Sequence, residues 1–93
     1  MTIRPNRKFT LKDDAALALN ALGWILADQG RAQRFLDLTG LTPDGLRTQL
    51  DDPATHHAVF AFLAAYEPDL KACAAALDVP PETLAVAGEE GLQ

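Results

Sequence analysis

The chain has 93 residues, 48% of them hydrophobic, so it is long enough for one modest core and too apolar to be disordered. Its single cysteine excludes an internal disulfide, and its net charge of −5 opposes binding of nucleic acid by the body of the protein. The longest apolar stretch, from Ala15 to Ala27, is shorter than the roughly 20 residues of a membrane span. We therefore expect a single-domain cytoplasmic protein without a membrane partner.

Charge is distributed unevenly along the chain. Residues 1–12 carry four cations and no acid, whereas residues 13–93 carry four cations and 13 acids. Chain termini are commonly poorly ordered. We expect a flexible basic arm at residues 1–9, a helical domain at residues 10–88 and a frayed end at residues 89–93.

The first predicted helix begins at Thr10, which has capping-box spacing to Asp13. It runs to about Gln29 and ends at Gly30, the type of residue that commonly follows a helix. Apolar residues cover most of its circumference, a pattern typical of a buried helix. We therefore expect it to lie at the centre of the fold.

Five more helices follow in the predicted order. Asp52 as N-cap and Pro53 at the first helical position indicate the start of one of them. No stretch alternates long enough to predict a strand. The further helices are expected at residues 31–39, 43–50, 53–66, 68–77 and 81–88.

One short pattern occurs twice, with an offset of 38 residues. The first copy is Gly40-Leu41-Thr42-Pro43-Asp44-Gly45-Leu46, and the second is Asp78-Val79-Pro80-Pro81-Glu82-Thr83-Leu84. In each copy a proline occupies the expected first helical position and an acid follows it, where it meets the positive end of the helix dipole. The pattern predicts a helix, a tight turn and a second helix at both places. The fold class expected is all-α: one compact bundle of five or six helices with helix-turn-helix-like connections.

Two stripes of small residues suggest how helices pack. Gly23 in mid-helix costs about 1 kcal/mol relative to alanine, and close approach of another helix is the simplest reason for it. We therefore expect the two stripes to face each other. They consist of Ala16, Asn20, Gly23, Ala27 and Gly30 on the first helix, and Ala54, Ala58, Ala61 and Ala65 on the fourth.

Several of these residues also carry a family resemblance. The chain contains Ala21-Leu22-Gly23-Trp24, Arg34-Phe35-Leu36, Thr39-Gly40-Leu41, Pro43, Leu46-Arg47, Asp52-Pro53, Phe62-Leu63, Glu67 and Pro81-Glu82. In these it resembles a family of small alphaproteobacterial proteins catalogued as a domain of unknown function, over roughly residues 10–88. The resemblance implies a bacterial cytoplasmic protein, and it assigns no activity, cofactor or catalytic residue. Cys73 stands where the family pattern favours a larger apolar residue.

Residues that could carry chemistry are few. His56 and His57 are adjacent on a helix and point about 100° apart, so they do not readily share one metal ion. Cys73 has apolar neighbours, which favours a buried and unreactive thiol. Paired acids at Asp13-Asp14 and Asp51-Asp52 fit helix starts. We expect no catalytic, cofactor-binding or metal-binding residue, and hence no enzyme.

A protein-interaction module, either an adaptor or a small regulator, is the favoured function. Candidate partner-binding residues surround the first repeated turn, and the alternative is that the arginines among them only solvate two short helices. The partner is expected to be another protein, and the oligomeric state stays open. The candidates are Arg31, Arg34, Phe35, Leu38 and Arg47.

Nucleic-acid binding is the alternative function. It would use the helix-turn-helix-like geometry together with the basic arm of Arg4, Arg7 and Lys8. A recognition helix needs cationic or amide side chains for the groove, and residues 81–87 contain none. Nucleic acid is therefore the less favoured partner.

Overall fold

A computed structural model describes residues 11–90 of the chain, with side chains from residue 15 to residue 87. These residues form six helices and no strand, which confirms the all-α bundle predicted from the sequence. The helices are α1 (Leu11–Leu26), α2 (Gln29–Thr39), α3 (Pro43–Thr48), α4 (Pro53–Ala64), α5 (Glu67–Leu77) and α6 (Pro81–Glu90).

The central helix is α4 rather than α1. It packs against α1, α2, α5 and α6, and Val59, Phe60, Phe62 and Leu63 on it are buried. The prediction of a central first helix was wrong, since Leu19 and Leu26 of α1 are 38% and 42% exposed. Fully buried side chains from α1, α2, α5 and α6 complete the core around α4; the largest are Ile25, Phe35, Cys73 and Leu84.

The repeated pattern forms two equivalent connections, as predicted. Gly40 after α2 and Asp78 after α5 both adopt the left-handed conformation, with φ of 76° and 61°. The next helix begins at Pro43 in the first case and at Pro81 in the second. Both connections are therefore helix-turn-helix-like in geometry.

The end of α1 differs from the prediction. The helix ends at Leu26, and Gly30 lies inside the first turn of α2. The reason is Asp28, whose carboxylate accepts a hydrogen bond from the backbone N–H of Arg31 at 2.9 Å and thereby caps α2. An N-cap aspartate, and not a glycine, separates the two helices.

The facing-stripes prediction was also wrong. All five stripe residues from Ala16 to Gly30 are exposed, and so are Ala54, Ala61 and Ala65, with Ala58 half-buried. A β-carbon added at Gly23 would meet nothing within 4 Å. The helix faces that reach the core instead carry Ala18 and Ala21 on α1 and Val59 and Leu63 on α4.

The two chain ends lie mostly outside the described residues. The predicted arm at residues 1–9 and the Thr10 cap fall there, as do residues 91–93 of the predicted frayed end. Within the described part, α6 passes the predicted end at Gly88 and continues to Glu90. None of the helices between residues 11 and 90 has the length and apolar content needed to cross a membrane.

Candidate protein-binding cleft

An open cleft of ≈ 430 Å³ lies between α2, the α2–α3 connection and α4. Leu38, 70% exposed, stands on one side of it. Alanines along one side of α4 form part of its lining, which leaves room for a bulky side chain to approach closely. We call it the α2–α4 cleft; it is lined by Leu38, Thr39, Leu41, Gln49, Ala54, Thr55, Ala58, Ala61 and Phe62.

Hydrogen bonds at the end of α2 fix one wall of the cleft. The Thr39 hydroxyl donates to the carbonyl oxygen of Phe35 at 2.9 Å and accepts from the N–H of Leu41 at 3.3 Å. The N–H of Gly40 donates to the Leu36 carbonyl at 2.8 Å. Because these bonds terminate the helix in a tight turn, Leu38 and Leu41 are held on either side of it.

Caps at the start of α3 and α4 fix the opposite wall. The Thr42 hydroxyl accepts from the N–H of Gly45 at 2.9 Å, and the Asp52 carboxylate accepts from the N–H of Ala54 at 2.9 Å. Each cap satisfies one backbone donor that the first helical turn leaves free. The cleft is therefore built on short, capped elements.

The cleft is uncharged. None of the nine described lining residues has an ionisable side chain, six are apolar and two are threonines. Among the described lining residues, only Thr39, Gln49 and Thr55 have polar side chains. The surface is chemically suited to apolar side chains.

Arg34 lies beside the cleft and joins α2 to α5. Its guanidinium carbon is 5.0 Å from the ring centroid of Phe62 and 5.6 Å from that of Tyr66. It also donates a hydrogen bond to the carboxylate of Asp69 and forms an ion pair with it. Its side chain remains 45% exposed beside Phe62, with its charge paired to Asp69.

Arg31 is used inside the fold. Its guanidinium carbon lies 3.6 Å from the centroid of the Trp24 ring, and Nη2 donates to the Trp24 carbonyl oxygen at 2.5 Å. That carbonyl belongs to the last turn of α1, where a cation is favourable. Trp24 is accordingly part of the packed structure.

The five predicted partner-binding residues do not form one surface, and the prediction needs correction at Phe35. Phe35 is fully buried, with its ring 5.4 Å from that of Phe62 at 84°, so it cannot contact a partner. Arg47 lines a second cleft of ≈ 370 Å³ between α1, α2 and α3, where it pairs with Asp44 at 2.8 Å. Leu38 lines the α2–α4 cleft, and Arg34 stands beside it.

The two histidines do not form a metal site with their surroundings. Nε2 of His56 lies 2.6 Å from the carbonyl oxygen of Leu50, which can only accept, so Nε2 is the donor. Within the described residues no three histidine, cysteine or acidic side chains come close enough to hold a metal ion. His56 instead ties the first turn of α4 to the segment after α3.

Cys73 is fully buried in α5, as predicted. Burial raises the pKa of its thiol from 9.0 to about 11, an effect that the charge of Asp69 reinforces and that of Arg31 opposes. A thiol with this pKa is almost entirely protonated at neutral pH, which makes it a poor nucleophile.

Sequence reasoning missed the α4 side of the cleft. Ala54, Ala58 and Ala61 were recognised as one stripe, but were assigned to packing inside the chain. The absence of any Asp, Glu, Lys or Arg from Pro53 to Tyr66 was a usable signal, because a solvent-facing helix side normally carries charge.

The fold and the cleft define a small all-α protein with an open apolar groove. Within that class, the chain belongs to the family described as "Protein of unknown function (DUF3572)", which matches residues 12–90. No curated protein and no solved structure matches the chain.

Proposed function

We propose that the protein is a non-enzymatic interaction module whose α2–α4 cleft binds an apolar helical segment of a protein partner. The observation that carries this proposal is Leu38: a leucine that is 70% exposed beside an uncharged cleft. Together with the apolar residues that line the cleft beside it, Leu38 forms one contiguous apolar surface, and contiguous apolar patches mark interaction sites.

An amphipathic helix is the occupant that the lining favours. The exposed alanines on α4 let a helix approach closely, and Leu38 and Leu41 supply apolar contacts from the other wall. Helices bind such grooves through apolar anchors at positions i, i+3, i+4 and i+7.

Nucleic-acid binding has less support. In the described residues the cations Arg34, Arg47 and Lys71 are paired with carboxylates, and Arg31 is bonded to Trp24. The alternative therefore depends on Arg4, Arg7 and Lys8, outside the described residues. We also propose a bacterial cytoplasmic location, with which the buried, unpaired Cys73 is compatible.

Selection from a library of helical peptides tests the proposed function. The library carries apolar residues at positions i, i+3, i+4 and i+7. Peptides that bind the natural chain are kept, and those that also bind the Leu38→Glu variant are removed. Val86→Glu is the matched control, since Val86 is 41% exposed on α6, away from the cleft. We expect peptides that bind the natural chain and Val86→Glu but not Leu38→Glu. Enrichment that is indifferent to Leu38→Glu, or no enrichment, would show the proposal to be wrong.

A further inference from the structure

A second surface, on α1, presents an uncharged face to solvent. Leu19 and Leu26 are 38% and 42% exposed, and Ala16 and Gly23 on the same side of the helix are exposed as well. Leu26 also lines the second cleft, between α1, α2 and α3. From Ala15 to Ala27 the sequence has no ionisable residue. The solvent side of a surface helix normally carries polar and charged residues. We call Ala16, Leu19, Gly23 and Leu26 the α1 face.

Nothing in the described part of the chain explains Gly23. It lies in mid-helix, where glycine is unfavourable relative to alanine, and the space beside it is open to at least 4 Å. It makes no turn and has no positive φ. Close approach by a second molecule is a physical reason for a glycine at such a position.

The α1 face has the spacing of a helix-pairing seam. Its residues are separated by three, four and three positions, as in the a and d positions of a coiled coil, and small and large side chains alternate along it. When two such helices lie antiparallel about a two-fold axis level with Ala21, Leu19 of each faces Gly23 of the other, and Leu26 faces Ala16. Every large side chain then meets a small one. The seam is thus complementary to itself.

We propose that the α1 face binds the α1 face of a second copy of this chain, antiparallel about a two-fold axis. Charge favours this surface for self-association, because copies with a net charge of −5 repel each other and α1 offers a region without acids. One helix face is smaller than the roughly 800 Å² per partner of a standard interface. The dimer is therefore expected to be reversible, with a micromolar or weaker Kd.

Sedimentation equilibrium of the full chain measures this association directly. The mass should rise with concentration from 10.0 kDa towards twice that value. Leu19→Glu should weaken the dimer at least about tenfold, or 1.4 kcal/mol. Leu38→Glu makes the same change on another exposed leucine, and it should leave the dimer intact. Leu38 lies in the α2–α4 cleft, so Leu38→Glu tests the proposed function, whereas Leu19→Glu tests self-association. The two variants therefore show which of the two proposals has failed.

A swap of large and small residues tests the antiparallel register. Gly23→Leu alone places a leucine opposite Leu19 of the other copy and should weaken the dimer. Leu19→Ala combined with Gly23→Leu restores a large residue opposite a small one and should return the Kd to within a few-fold of the natural value. A chain that stays monomeric up to about 1 mM would overturn the proposal, because its dimerisation free energy would then be weaker than about 4 kcal/mol. So would a dimer that Leu19→Glu does not weaken, because another surface would then hold it.

Discussion

Arg31 lies over the ring of Trp24, with its guanidinium carbon 3.6 Å from the ring centroid and Nη2 bonded to the Trp24 carbonyl oxygen. One side chain thus covers the half-buried indole and caps the last turn of α1. The sequence predicts Arg31 as a partner-binding residue, whereas its contacts lie within the fold. The exposed apolar surface lies instead at the cleft beside Leu38.

Loss of Arg31 should destabilise the fold. Arg31→Ala removes a cation–π contact and leaves a helix carbonyl without its charged donor, at a cost of about 1–3 kcal/mol. The melting temperature should fall by roughly 4–8 °C per kcal/mol, and the fluorescence of the single tryptophan should change. Arg47→Ala is the control, because its ion pair with Asp44 is exposed and contributes little. Equal melting temperatures for both variants would contradict the structural role of Arg31.

Replacement of Gly23 and of Gly40 by alanine should change the stability of the chain in opposite directions. Gly23→Ala should stabilise the chain by up to about 1 kcal/mol, because alanine favours the helix and its β-carbon meets nothing within 4 Å. Gly40→Ala should destabilise by about 1–2 kcal/mol, because φ of 76° disfavours a β-carbon. Thermal melts at a concentration well below the Kd of the proposed dimer, where the dimer does not contribute, check both signs. A large loss of stability in Gly23→Ala would mean that α1 packs against another element there.

The local signals in the sequence predicted local structure well. Gly40, Asp78 and the prolines after them correctly indicated both turns, because each acts within one helix end. Asp28 shows the limit: either Asp28 or Gly30 is a reasonable boundary, and the capping bond to Arg31 decides between them.

Packing between distant elements could not be predicted in the same way. Both α1 and α4 have more than one apolar or small-residue stripe, and the sequence does not say which of them faces the core. The choice depends on how α2, α5 and α6 surround α4, which is a property of the whole fold. Phe35 and Leu38 are both predicted to bind a partner because both are apolar. Leu38 is 70% exposed, whereas Phe35 lies in the core.

The buried thiol should make stability depend on pH in the alkaline range. The ordinary pKa of a cysteine thiol is 9.0, and that of Cys73 in the folded chain is about 11. The thiol therefore keeps its proton to higher pH in the folded state than in the unfolded state. The stabilisation from this difference is present below pH 9 and is lost as the pH rises from 9.0 towards about 11. Urea unfolding from pH 8 to 11, for the natural chain and Cys73→Ala, should give curves that converge with rising pH. Curves that stay parallel would mean that the folded-state pKa is not raised.

Duplex DNA should bind weakly. We expect a Kd no tighter than about 10⁻⁵ M at physiological salt, because the acids of residues 13–93 oppose the basic arm. Any residual binding should show a slope of roughly −3 in log K against log salt and should disappear when Arg4, Arg7 and Lys8 are replaced by alanine. A gel shift with sub-micromolar affinity at that salt would instead favour the nucleic-acid alternative.

The central claim, that the α2–α4 cleft binds an apolar helix, is tested most directly by filling the cleft. Ala61 lines it, whereas Ala64 lies on the same helix outside it, and both are exposed, so Ala61→Leu and Ala64→Leu are matched substitutions. Calorimetric titration with a peptide selected from the helical library should give a Kd at least about tenfold weaker for Ala61→Leu, or 1.4 kcal/mol, and an unchanged Kd for Ala64→Leu. Equal affinities for the two variants would contradict binding in the cleft.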